Sequence, residues 1–165
     1  MLQAPTIPVP DPSQHVPTHA ECIEALVDVL PRAMRALKSQ MRGARLSTQQ
    51  WFLLMTIEDL NQLHPDGAQP GELARRACLS SAAITAVLDD LVESGYCLRA
   101  HSEKDRRKVL VHLTAEGHRV LGEARASTVA ALGGMLDGWD AQRRQRLLAV
   151  LRDLDVAAEE LVRRG

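Results

Sequence analysis

Six consecutive charged residues, Glu103-Lys104-Asp105-Arg106-Arg107-Lys108, form a dense charge run, and four of them are cationic. A short loop of this composition offers anchors for phosphate, and a guanidinium within it can enter a narrow minor groove, where the potential of duplex DNA is most negative. Upstream, Ser80, Ser81, Ala82, Thr85 and Ala86 open an apolar-periodic segment. Their small side chains suit close approach to a major groove, and the free amides of a helix N-terminus favour phosphate. The other reactive groups are more scattered. Cys22, Cys78 and Cys97 are too few and too far apart for a disulfide framework, which points to a reducing compartment. No basic neighbour within a turn is placed to lower a thiol pKa. Cys78 and Cys97 read as small buried hydrophobes. His15, His19, Glu21 and Cys22 have ligand chemistry at close spacing, but the stretch from His15 to Pro17 is not helical, so no metal site is defined. There is no nucleophile–base–orienter set, no glycine-rich phosphate loop and no HExxH, so neither an enzyme nor a cofactor is expected.

The composition narrows the class. A chain of 165 residues and 18.1 kDa makes one domain, or one domain with a dimerising extension. Hydrophobic residues are 45% and charged residues 25%, the balance of a globular protein, and the net charge is −1. Aromatics are 2%, namely Trp51, Phe52, Tyr96 and Trp139. That excludes RNA-binding sheets and single-strand grooves, which stack bases on exposed rings. No run of about 18 apolar residues occurs, so no membrane partner is expected. The N-terminus lacks a basic region followed by an apolar core, and a cytoplasmic location is expected.

The elements that must position these groups follow from periodicity. Pro5, Pro8, Pro10, Pro12 and Pro17 make residues 1–18 an extended arm, read as a solvated tail or as an arm packing on a partner subunit. Ile23, Leu26, Val27, Leu30, Met34, Leu37 and Met41 predict a helix over 19–42, kinked at Pro31. Ser47 and Gln50 have capping-box spacing and open a second helix, whose Trp51-Phe52-Leu53-Leu54-Met55 run predicts a central, buried position. A short helix from Pro70 to Ala77 follows, with Leu73 inward and Arg75 and Arg76 outward. After a turn, Ser80 caps a helix that Gly95 ends. Alternation at Tyr96, Leu98 and Ala100, and at Val109, Val111 and Leu113, predicts two strands around the charged loop. Thr114 caps a helix reaching Gly133-Gly134, and a last helix starts after Asp140 with Leu147, Leu148, Leu151, Leu154, Leu161 and Val162. A terminal amphipathic helix left without a partner suggests exchange with a second copy. Trp139 lies near a helix junction and reads as packing.

Helix-turn-helix plus hairpin is a winged helix, and the motifs make the likeness specific. Leu73-Ala74, Leu79-Ser80, Ile84-Thr85, Leu91, Gly95-Tyr96, Asp105-Arg106-Arg107, Val111-His112-Leu113-Thr114 and Gly117 resemble the MarR family of bacterial transcriptional regulators over about residues 19–163. The resemblance implies a mainly α fold with a small two- to three-stranded antiparallel sheet, and a homodimer with interlocking terminal helices. Residues 19–46 and 115–163 would form the dimerisation region, and 47–114 the winged helix-turn-helix. It implies double-stranded DNA and a second copy as partners, a palindromic operator, and repression relieved by a small-molecule effector. On this reading Ser80, Ser81, Ala82, Thr85 and Ala86 face the major groove. Arg107 enters the minor groove with Asp105 as its orienting partner, and Lys104, Arg106 and Lys108 anchor phosphates.

Trp51 and Phe52 fall where the family's ligand cleft opens, although large aromatics usually fill cores. Cys22 occupies the region of the family's peroxide-sensing thiol, which makes a redox-sensing regulator an alternative. The tyrosine pair of those sensors is absent, with Trp51 and Phe52 nearby. Two positions depart from the family, and a neighbouring one keeps to it. Ala86 stands where many relatives have Arg, Asp90 replaces another basic residue, and Asp89 matches an inward position that could pair with a wing arginine. Residues 70–113 carry seven Lys or Arg against six Asp or Glu. That balance predicts modest, salt-sensitive affinity, and leaves a winged-helix protein-interaction module without DNA binding as a further alternative.

Overall fold

The computed structural model describes residues 16–40 and 45–164. Most of the proline-rich arm and the residue Met41 lie outside the described residues; residues 16–18 have no regular structure. Helix α1 (His19–Gln40) runs through Pro31 as one helix. Its start is fixed by a reciprocal cap: the Thr18 amide donates to Glu21 Oε2 at 2.7 Å, and the Glu21 amide donates to Thr18 Oγ1 at 3.3 Å. Ile23, Val27, Leu30 and Met34, one side at helical spacing, are exposed. The chain divides between Ser39 and Gln40 into two compact units.

The second unit contains α2 (Thr48–Leu63), α3 (Pro70–Arg76), α4 (Ser81–Glu93), β1 (Cys97–His101), β2 (Val109–Leu113), α5 (Ala115–Leu132), a single 3₁₀ turn at 133–136, and α6 (Ala141–Arg164). The capping box at Ser47 and Gln50 forms as its spacing predicts. α2 is the central element, with Trp51, Leu53, Leu54, Ile57 and Leu60 buried. Around it pack Leu73 of α3, Ile84, Leu88 and Leu91 of α4, Val111 of β2, and Val120 and Leu121 of α5.

The sheet has two antiparallel strands, paired from Cys97 with Leu113 to His101 with Val109. A third strand is reduced to one residue, Ala68, which bridges Val111 through bonds of 3.0 and 2.8 Å. In β1 the predicted stripe is out of phase: Cys97 is buried, whereas Leu98 is 44% exposed. A five-residue strand flanked by a glycine turn gives alternation too few positions to set its phase.

Asn61 closes the free side of β2. Its Nδ2 donates to the Val111 carbonyl at 3.0 Å, and its Oδ1 accepts from the Leu113 amide at 3.2 Å. The start of α5 is equally constrained. Thr114 Oγ1 accepts from the Gly117 amide at 2.9 Å and donates to the Gly95 carbonyl at 2.7 Å. Gly117 packs so closely on β1's approach that a Cβ there would lie 2.1 Å from the Tyr96 carbonyl oxygen. The Val-x-Leu-Thr-x-x-Gly string is therefore a packing unit: a buried strand end, a helix cap and a close approach.

Two stability outcomes follow. Gly117→Ala must displace backbone and is expected to cost about 1–3 kcal/mol in denaturant unfolding. Gly122→Ala in the same helix, where an added Cβ meets nothing within 4 Å, is expected to be neutral or stabilising by about 1 kcal/mol. Equal effects of the two would contradict the packing. Asn61→Ala leaves the Leu113 amide unpaired and is expected to cost about 1–3 kcal/mol. A matching loss of hydrogen-exchange protection is expected at the Leu113 amide, and unchanged protection there would count against the clamp.

Candidate nucleic-acid interface

Helix α3 and helix α4 form the reading head, and both end in the same hydrogen-bond pattern. At the end of α3 the Cys78 amide donates to the Arg75 carbonyl and the Leu79 amide to the Ala74 carbonyl. At the end of α4 Gly95 donates to Val92 and Tyr96 to Leu91. This motif needs a left-handed residue, which is Gly95 (φ 74°) in one case and Cys78 (φ 51°) in the other. A non-glycine residue in that region is uncommon. Cys78 is consequently exposed in the turn, a correction to its expected burial.

Ser80 caps α4 by accepting from the Ala83 amide at 3.2 Å. Ile84, Val87, Leu88 and Leu91 are buried. Ser81, Ala82, Thr85, Ala86, Asp89 and Asp90 are exposed together with Ser80. The proposed groove-facing residues thus share the outer side of a helix anchored by its apolar side. Asp89 does meet an arginine of the hairpin: Arg99 Nη1 of β1 lies 2.6 Å from Asp89 Oδ1. Arg99 is absent from the predicted site, because its role depends on strand pairing rather than on local spacing.

The hairpin loop is closed by the Ser102 amide to the Lys108 carbonyl and the Lys108 amide to the Asp105 carbonyl, at 3.0 and 2.9 Å. Asp105 accepts from the backbone amide of Arg107 at 3.1 Å. It therefore shapes the turn that presents Arg107, through the backbone amide. Lys104 is also differently engaged. Its Nζ lies 2.5 Å from Asp66 Oδ2, on the turn after α2. This bond and the paired charge hold the Asp66 carboxyl below its ordinary range and the Lys104 ammonium above it. Arg106, Arg107 and Lys108 are exposed and have no ion-pair partner among the described residues. An open cleft of about 370 Å³ under the loop is lined by Asp66, His101, Lys104, Leu110 and His112, among others.

Arg76 departs from its outward assignment. It is 18% exposed and lies 3.7 Å from Glu72 and 3.4 Å from Glu159 of α6. Burial, followed by the nearby Glu58 and Glu159, pushes the carboxyl of Asp59 upward in the same neighbourhood.

Trp51 is 7% exposed and belongs to the core, with its indole Nε1 unpartnered among the described residues. Phe52, its ring 5.0 Å away, is 36% exposed. Trp139 stacks beneath the Arg143 guanidinium, 3.8 Å from the ring centre. Cys22 is exposed, and Cys97 is buried, with burial pushing its thiol up to about 12. Among the described residues no group of three or more His, Cys, Asp or Glu could hold a metal ion. No helix among them is long and apolar enough to cross a membrane.

The sequence model of the MarR family matches residues 46–109, the stretch from the start of α2 through the hairpin loop. The reading head is similar to a MarR-family domain. The HTH-type transcriptional repressor YetL of Bacillus subtilis is 25% identical over 149 residues, covering 86% of this chain and 87% of that one. Wild-type MarR of E. coli in its apo form has a TM-score of 0.65 at 20% identity, over 85% of this chain and 98% of that chain. Streptococcus pneumoniae FabT, crystallised in complex with DNA, has a TM-score of 0.62 at 21% identity, over 87% and 99%. The architecture is that of winged-helix MarR structures.

Within this head the thiols differ in a measurable way. At pH 8, iodoacetamide is expected to alkylate Cys22 and Cys78 in the native protein and Cys97 only after unfolding, read by mass spectrometry. Modification of native Cys97 at the rate of Cys78 would contradict its burial.

Proposed function

We propose that this protein is a sequence-specific, DNA-binding transcriptional regulator of the MarR type, acting as a homodimeric repressor on a palindromic operator. The observation that carries this reading is the pairing of two surfaces on one head. A recognition helix presents a narrow row of small residues, and beside it a hairpin presents Arg106, Arg107 and Lys108 without ion-pair partners among the described residues. The helix can enter a major groove while the hairpin tip reaches phosphates and the adjacent minor groove. Ser80, Ser81, Ala82, Thr85 and Ala86 take the groove-facing role. Arg107 takes the minor groove on a turn shaped by Asp105, and Arg106 and Lys108 take phosphates. Lys104 joins them on release from Asp66.

Dimerisation is supported by unsatisfied apolar surface. In α6 no residue is buried, and Leu148, Leu151, Leu154 and Leu161 are 39–71% exposed. In α1 the side carrying Ile23, Val27, Leu30 and Met34 is exposed as well. Burying such faces against a second copy removes them from water. Residues 19–46 and 115–163 would form this region and 47–114 the reading head, in a cytoplasmic protein. Two heads would then meet successive major grooves about 34–36 Å apart. An effector bound near Trp51 and Phe52 would release DNA by favouring a different spacing. The Asp89–Arg99 bond weakens the case for a protein-interaction module, since that carboxylate does not stand unneutralised in front of phosphates.

Arg107→Ala is expected to lower affinity for the cognate duplex about tenfold or more, with melting temperature unchanged. Electrophoretic or anisotropy titrations at several salt concentrations give the measurement. Full affinity in this variant would remove the loop from the interface, and a salt-insensitive complex would contradict phosphate anchoring.

A further inference from the structure

The outer side of α4 has an unusual chemistry for a recognition helix. From Ser81 to Glu93 it contains no Arg, Lys, Asn, Gln or His. The side chains that form bidentate pairs with guanine or adenine edges are therefore absent from it. Ala82, Thr85, Ala86 and Asp89 fall on one stripe at helical spacing, and all four are exposed. Asp89 could accept from cytosine N4, but its Oδ1 is held by Arg99 at 2.6 Å. Thr85 donates its hydroxyl proton to the Ser81 carbonyl at 2.9 Å, so the donor is used within the helix. What the stripe offers a base pair is methyl groups: two from alanine and one from threonine. In the major groove only thymine presents a methyl in return, at C5.

We propose that this helix specifies its half-site by apolar contact between Ala82, Thr85 and Ala86 and the C5-methyl groups of thymines. The proposal rests on the DNA-binding reading above and names the class of duplex that reading leaves open. Guanine and adenine pairing by long polar side chains plays no part at these positions. Discrimination comes from methyl burial in the groove, with phosphate anchors supplying the sequence-independent attraction.

The experiment uses the full chain. Duplexes bound from a random pool are recovered, and a half-site is remade with each thymine replaced singly by deoxyuridine. This removes one methyl and preserves pairing and the minor groove. Affinity is expected to fall about 4-fold at each contacted thymine, the effect of one methyl left unburied. Thr85→Ser keeps the hydroxyl and removes the methyl. It is expected to bind the parent duplex about 4-fold more weakly per half-site, about 16-fold for the dimer, and to lose about 4-fold less than this on the deoxyuridine duplex of its own contact, where one of the two methyl contacts is already gone. Unchanged affinity at every deoxyuridine position, or strict additivity of Thr85→Ser with every one of them, overturns the methyl contact. Recovery of no duplex at all overturns instead the DNA-binding reading on which the proposal stands.

Discussion

Strand β2 is the seam through which the reading head is held together. Val111 is fully buried and faces β1 on one side, while its amide and carbonyl on the other side are taken by Ala68. Asn61 donates a second bond to the same carbonyl, and its Oδ1 accepts from the Leu113 amide. A two-stranded hairpin alone is marginal in water. Here the free edge is tied to the helix that carries the core and to the turn that precedes α3. The hairpin loop therefore projects from a strand whose polar groups are satisfied toward the protein, which keeps its base stiff while its tip stays open to a ligand.

The distribution of charge on this head decides more than its sum. Residues 70–113 are nearly neutral overall. Two ion pairs, Asp89 with Arg99 and Asp66 with Lys104, remove charges at the sides of the surface. The cations left without ion-pair partners among the described residues include the three at the hairpin tip. An attractive field is thereby concentrated where a phosphate backbone would pass, and a small net excess still suffices for steering. All these groups are exposed, so the pairs contribute little to folding stability; their effect lies in which charges remain available.

Local signals were legible in the sequence and long-range ones were not. The caps at Ser47, Ser80 and Thr114 and the stop at Gly95 depend on residues within a few positions, and each forms as its spacing implies. Asn61 looks like an ordinary polar residue of α2, because its partners are 50 and 52 positions away. The same holds for Arg76, whose partner Glu159 lies 83 positions on. Cys78 was misplaced because a left-handed backbone in the turn aims it outward, and glycine is the usual signal for that conformation. The charges of the wing residues are readable from the sequence, but not the allocation of Lys104 to Asp66 or of Asp105 to a backbone amide.

The bond between Arg76 and Glu159 ties the last turns of α6 to the helix-turn-helix. From Glu159 back to Ala141 the helix extends about 27 Å. A difference in tilt of about 10° at Glu159 corresponds to about 5 Å at the far end, by the geometry of a rigid rod of that length. Where Glu159 falls along α6 thus sets how finely the tie must fix the helix direction to place its distant end.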